Sequence, residues 1–136
     1  MHRAISTRQQ RPQAGSVSLQ LVIATPALLM LMLLIVQFAL WQHAQHIAEA
    51  AAQEAVAATR VAGGSQMAGS TAAQAVLEHV GGAVIVGADV QVVRTATLAR
   101  VEVLGHAVAV VPWVPLPVHA VAAAPIERTQ AAAAQP

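Results

Sequence analysis

Twenty consecutive residues without a charge, Leu21 to Leu40, limit this chain more than anything else in it. Twelve of them are Leu, Ile, Val or Phe. About twenty apolar residues at a helical rise of ~1.5 Å span a hydrocarbon core of roughly 30 Å. On the insertion scale those twelve together favour the bilayer by roughly 4–7 kcal/mol, at about 0.3–0.6 each. Thr25, Pro26 and Gln37 subtract from that. Gln37 falls near one end, where an amide can be wet, and Trp41 follows at the place of an interfacial aromatic. Residues 16–41 therefore read as a membrane helix. A kink is expected near Val22 or Ile23, because Pro26 removes a donor and leaves a carbonyl one turn earlier without its partner.

The stretch before the helix gives the orientation. Residues 1–15 hold Arg3, Arg8 and Arg11 and no acid, and the first acid of the chain is Glu49. By the positive-inside rule this short leader stays cytoplasmic and the remainder is exported. A cleaved secretory signal shares the basic start, but its apolar core should span only about 7–15 residues. The A-x-A at Ala48-Glu49-Ala50 lies well past the apolar run.

About 90 of the 136 residues remain for a small exported domain. Hydrophobic residues make up 57% and charged ones 10%, which excludes an ordinary soluble globule and a disordered chain alike. Much of the apolar content is Ala and Val, so the core should be thin and open to completion by partners. After the helix the basic residues are scattered (Arg60, Arg94, Arg100, Arg128), which gives nucleic-acid binding no support. Cysteine is absent, and with it any disulfide framework or thiolate metal site.

No breaker appears between Trp41 and Gly63-Gly64, and the intervening residues are strong helix formers. One helix is expected from about Ser16 to Ala62, roughly 70 Å long. In its outer half Ala44, Ala48, Ala51, Ala55, Ala58 and Ala62 recur at spacings of four and three. A seam of such small side chains lets another helix or a sheet come close. An Ala-rich segment also offers such a series by chance in several registers. Glu49 and Glu54 fall off the seam and should face water.

Gly63 to Ser70 reads as a flexible turn, and Thr71 to Val80 as a short helix capped by Ser70 or Thr71 and stopped by Gly81-Gly82. Ala83–Arg94 and Leu98–Val111 are Val-rich. Asp89 and Gln91 oppose Val90 and Val92; Arg100, Glu102, Leu104 and His106 alternate with Val101, Val103, Gly105 and Ala107. A period of two marks strands with one covered face, and the short Thr95-Ala96-Thr97 link makes them a hairpin. Pro112, Pro115 and Pro117 break pairing, after which Val118 to Ala124 suits a third, edge strand. The fold class is α+β: a long N-terminal membrane helix continuing outside, then a small antiparallel hairpin or meander. The expected divisions are leader 1–15, membrane helix 16–41, its continuation 42–62, exported domain 63–126 and disordered tail 127–136.

Chemistry-bearing residues do not converge. His43 and His46 share a helix face just outside the membrane, but a divalent metal wants three or four protein ligands, and Glu49 should swing off their face. His79, His106 and His119 are isolated and expected on the surface. Gly63-Gly64-Ser65-Gln66-Met67 lacks the closing Gly of a nucleophile elbow, and no Gly-rich span carries a phosphate-loop Lys. No nucleophile, base and orienting group can be assembled, so no enzyme, metal or cofactor is expected.

The informative motif is Gly15-Ser16-Val17-Ser18-Leu19-Gln20 directly before the apolar run. A basic leader ending in Gly, a small residue and then an apolar helix resembles a class III, prepilin-type signal. More narrowly, residues 11–60 resemble TadE-like proteins, minor pseudopilins of tight-adherence pili. The likeness rests on Thr25-Pro26, the Leu-rich run, Gln37-Phe38 and the Ala- and Gln-rich helix that follows. Pro125-Ile126-Glu127-Arg128 also resembles a segment of actinobacterial members. The resemblance implies a pilin-like protein that a prepilin peptidase cuts between Gly15 and Ser16. Its other partners would be the membrane and further pseudopilins or pilus-assembly proteins. The fifth mature residue, usually Glu in such proteins, is Gln20 here. An amide cannot pair with a neighbour's terminal ammonium as a carboxylate does, which favours a minor or non-polymerising role. The competing expectation is an unprocessed signal-anchored protein with a partner-binding domain outside the cell.

Overall fold

The computed structural model describes residues 14–127, with side chains from Gln20 onward. Helix α1 runs unbroken over Ala14–Arg60, and helical pairing continues through Pro26. At ~1.5 Å per residue its 47 residues make a rod of roughly 70 Å. Directly before the proline, Thr25 Oγ1 donates to Leu21 O, four residues back, at 2.8 Å, a local bond in a segment that has lost a backbone donor.

The two halves of α1 differ in what covers them. From Leu21 to Val36 every Leu, Ile, Val and Met is exposed. From Gln37 onward one face is buried, and Ala44, Ile47, Ala48, Ala51, Ala52, Ala55 and Val56 form the helix side of the core. The partner across that core is the chain's own sheet, β1 (Ile85–Arg94), β2 (Leu98–Ala107) and β3 (Pro117–Pro125), an antiparallel meander in the order β1-β2-β3. The fold is α+β, as the sequence implies.

Strand β2 lies in the middle and alternates without fault: Ala99, Val101, Val103, Gly105 and Ala107 are buried, while Arg100 and His106 are exposed. Val101 stands opposite Val92 and Ala122, and Val103 opposite Val90 and Ala120, so each layer of the core is a row of small side chains. Such rows let the helix axis come close, which is what the alanines of α1 permit from the other side.

Strand β1 keeps its inward pattern only by means of a bulge. Val86 pairs with His106 and Asp89 with Leu104, so β1 spends one residue more than β2 between them. Gly87 supplies the left-handed residue, at φ +64°. The extra residue changes the parity, so that Ile85 before it and Val90 and Val92 after it all face the helix.

Between α1 and β1, helix α2 (Gln66–Val76) ends in a π-helical turn, Leu77–Gly81. It begins earlier than the expected Thr71 because Ser65, not Ser70, is the cap: its Oγ accepts from Ala68 N at 3.0 Å. The segment read as a flexible turn is thus largely the first turns of a helix. Gly69 lies inside it, where a Cβ would run into the Thr59 side chain and reach Ala55 O at 3.0 Å. The glycine marks a close crossing of two helices rather than a loop.

At the far end of α1 the free carbonyls are taken up. Arg94 Nε donates to Thr59 O at 2.9 Å and Glu127 N to Arg60 O at 2.9 Å. The Arg94 guanidinium suits a helix C-terminus, where a cation is favoured. Glu127, expected at the start of a disordered tail, also lies 3.4 Å from Arg60 through its side chain. Residues 128–136 of that tail, Arg128 included, and the leader arginines Arg3, Arg8 and Arg11 lie outside the described residues.

Candidate functional site

Gly15 and Ser16 occupy the first turn of α1, and Gln20, one turn further on, is exposed. The expected scissile bond therefore stands at the very start of the helix, within the described residues but before any described side chain. Gln20 follows Ser16 by four residues and so shares its helix face.

At the other end of the apolar run, residues assigned to an interface turn out to be structural. Gln37 is 2% exposed. Its Oε1 accepts from Val110 N at 2.6 Å and from Val111 N at 3.1 Å, and its Nε2 donates to Val108 O at 3.2 Å. One turn later Trp41 Nε1 donates to Pro117 O at 2.9 Å. After another turn Gln45 holds both backbone groups of His119: Nε2 donates to His119 O at 2.7 Å, and His119 N donates to Gln45 Oε1 at 3.3 Å.

Spacing of four puts Gln37, Trp41 and Gln45 on one side of the helix. Together they fasten the segment from Val108 to His119 along two turns of α1. Gln45 also covers backbone groups that an edge strand would leave open to pairing with another chain. The expectation that the Gln37 amide is wet is corrected here, and Trp41, expected as an interfacial aromatic, has a structural partner as well. Both are bonded to the chain's own backbone. The spacing Gln-x-x-x-Trp-x-x-x-Gln was visible in the sequence, but nothing there names its acceptors some seventy residues away.

The alanine seam has a definite occupant. Ala44, Ala48, Ala51 and Ala55 are buried against the sheet, Ala58 is half-buried, and Ala62 lies past the end of α1, exposed. Glu49 and Glu54 are exposed as expected. Glu49 does not swing away from the histidines, however: its carboxylate lies 3.7 Å from His46 Nδ1 and 3.3 Å from Gln45 Nε2. Among the described residues no group of three His, Cys, Asp or Glu is placed to hold a metal ion. His119 is not isolated, since its Nε2 lies 2.7 Å from Glu102 Oε1 on the outer face of the sheet. Both side chains are substantially exposed, so the pair adds little to stability. A cleft lined by Gln74, Glu78, Gly82 and Asp89 opens beside the π-helical turn. It gathers two carboxylates and one amide with no base or nucleophile beside them.

Among the described residues one helix is long and apolar enough to cross a membrane, and only 6% of its apolar window is buried. A core helix of a soluble protein would be covered; this one is bare on all sides. Over the described residues the chain has the form of a single-pass membrane protein. Neither the curated proteins nor the solved structures searched return a match. Residues 15–57 match the family model described as TadE-like protein, a stretch from the glycine at the start of α1 through the apolar run and into the buried seam. Across that helix the chain is similar to the TadE-like proteins.

Proposed function

We propose that this protein is a minor pseudopilin: a non-enzymatic, membrane-anchored component of tight-adherence pilus assembly, matured by a prepilin peptidase that cuts between Gly15 and Ser16. The TadE-like family is associated with such pili and is structural rather than enzymatic. The observation that carries the finer reading is where the family match begins. It starts at Gly15, leaves out the basic leader, and takes in the whole apolar helix.

The geometry of α1 is compatible with that cut. Gln37 is fixed to the domain, so the lipid-covered part of α1 lies before it. Counting back about twenty residues, or roughly 30 Å, reaches Val17. A chain beginning at Ser16 would carry its ammonium at the inner boundary of the hydrocarbon, with Gln20 just inside. Loss of Arg3, Arg8 and Arg11 would then loosen the hold of the helix on the cytoplasmic interface. Gln20 in place of a carboxylate enters lipid at lower cost and removes the ion pair expected between polymerising subunits. Both effects favour an assembly or priming role beside the main filament, with the domain on the extracytoplasmic side and other pilus components as its partners.

The test is intact mass of the membrane-extracted protein from cells with an active prepilin peptidase. The mature chain should lack Met1–Gly15, Gly15→Val should remain at full length, and Gln20→Glu should still be cut. A full-length mass for the wild type would replace the pseudopilin reading with that of an unprocessed signal anchor.

A further inference from the structure

The loop between β2 and β3 has no role in the pseudopilin reading, yet it is the most membrane-proximal part of the domain. Its level is set by Gln37, which lies next to the exposed apolar residues Leu33–Val36. From Ala107 to Val118 the chain has no charged side chain, and its only polar side-chain group is the indole of Trp113. Trp113 is 93% exposed and Val110 40% exposed. Apolar side chains of this size on the water side of a small domain ask for a cover.

Two further features fit one particular cover. A backbone that enters lipid must have its polar groups satisfied within the protein. Pro112, Pro115 and Pro117 have no N–H to satisfy. The N–H groups of Val108, Val110, Val111 and Val114 find acceptors in Val84, Gln37 and Val111. The loop has thus shed most of the donors that would resist desolvation. Trp113 also sits at φ 68°, a region costly for an aromatic residue and easy for glycine. A turn that needed only the backbone shape would be better served by glycine. The tryptophan side chain itself must be what is wanted there, and its apolar body with a polar tip suits the headgroup level of a bilayer.

We propose that the loop Val108–Leu116 is a second membrane contact, with Trp113 seated in the lipid interface of the leaflet on the domain's side and Gln37 holding the loop at that depth. The domain then touches the bilayer at two points, the helix and the loop, which limits its tilt about the helix axis.

The chain has no cysteine, so single-cysteine spin labels report directly. The full-length protein, reconstituted alone in phosphatidylcholine–phosphatidylglycerol nanodiscs, would carry a label at Trp113→Cys, at Val121→Cys on the exposed outer face of β3, or at Leu29→Cys in the apolar run. Collision with oxygen, which partitions into lipid, is compared with collision with a water-soluble nickel chelate. Position 113 should show an oxygen-to-nickel ratio several-fold above position 121. A ratio equal to that at 121 would overturn the contact, and exclusion of both reagents would mean that protein covers the loop. The label at Leu29 reports the anchor separately, and no step depends on leader cleavage.

A second measurement keeps the native tryptophan. The emission present in the wild type and missing in Trp113→Phe should be quenched when the lipid acyl chains carry bromine near the headgroup. Unquenched emission would refute the proposal.

Discussion

Gln37 offers the sharpest test of how the domain is held to its helix. Gln37→Met keeps the length and flexibility of the side chain while removing its hydrogen bonds, so little cavity is created. Three bonds are lost: those from Val110 N and Val111 N to Oε1, and that from Nε2 to Val108 O. The Val111 donor is buried and the other two groups are half-buried. A buried donor left unpaired costs about 1–3 kcal/mol, and each of the other bonds is worth about 0.5–1.5 kcal/mol. Attachment of the loop should therefore weaken by roughly 2–6 kcal/mol. At a factor of ten per 1.4 kcal/mol, amide hydrogen exchange at Val110 and Val111 should accelerate at least about 30-fold. Exchange along β2 should change far less, because the bonds between Ala99 and Ala107 do not involve Gln37. Gln53→Met, on the exposed face of the same helix, is the control. Unchanged protection at both amides in Gln37→Met would mean that the glutamine does not hold the loop.

Two other outcomes follow from the same packing. Ala55→Leu places three extra carbons where the helix meets the sheet and α2, so it should lower domain stability by about 1–3 kcal/mol, read as a fall in the melting temperature in detergent, while Gln53→Leu should not. Loss of co-purification with pilus partners in Ala55→Leu at an unchanged melting temperature would show instead that the seam serves those partners. A periplasmic-type reporter fused after Glu127 should be active and a cytoplasmic one silent, given the three leader arginines and the absence of any acid before Glu49; the reverse result would place the domain in the cytoplasm.

The parts of the fold that depend on local pattern were legible in the chain. Strand β2 alternates from Ala99 to Ala107 because a single helix covers one face, and the Thr95-Ala96-Thr97 link admits only a tight antiparallel return. The long helix was legible for the same kind of reason. What could not be read were pairings that join distant residues. Strand β2 was expected to run to Val111, but it stops at Ala107: Val108 N still donates to Val84 O, and Gln37 then takes the N–H groups of Val110 and Val111. Gly69 looked like a breaker because sequence does not distinguish a glycine that bends the chain from one that admits a neighbouring helix. The alanine seam announced a close approach but not which surface would make it. At the candidate cleavage point the motif is wholly local, which is why Gly15, Ser16 and Gln20 could be named without a structure.

Closure of the seam narrows how this protein could meet another helix. With Ala44, Ala48, Ala51 and Ala55 under the sheet, a helix packing against the outer half of α1 finds Ala50, Gln53, Glu54 and Ala57, all exposed. Half of that face is polar, a poor driving surface by itself. The apolar half of α1 is different, for Leu21 to Val36 and Phe38 are bare all round. Moving the eleven Leu, Ile, Val and Phe side chains of that stretch out of lipid into water would cost roughly 3–7 kcal/mol on the insertion scale. Sequence-independent pulling does not remove that cost; only other apolar helices can take the place of lipid. Because α1 is one rod bonded to its sheet from Gln37 to Arg60, the domain cannot rise without drawing the apolar half with it. On the pseudopilin reading proposed above, the association that matters most therefore lies within the bilayer, among apolar helices, and the exposed domain refines which neighbours fit.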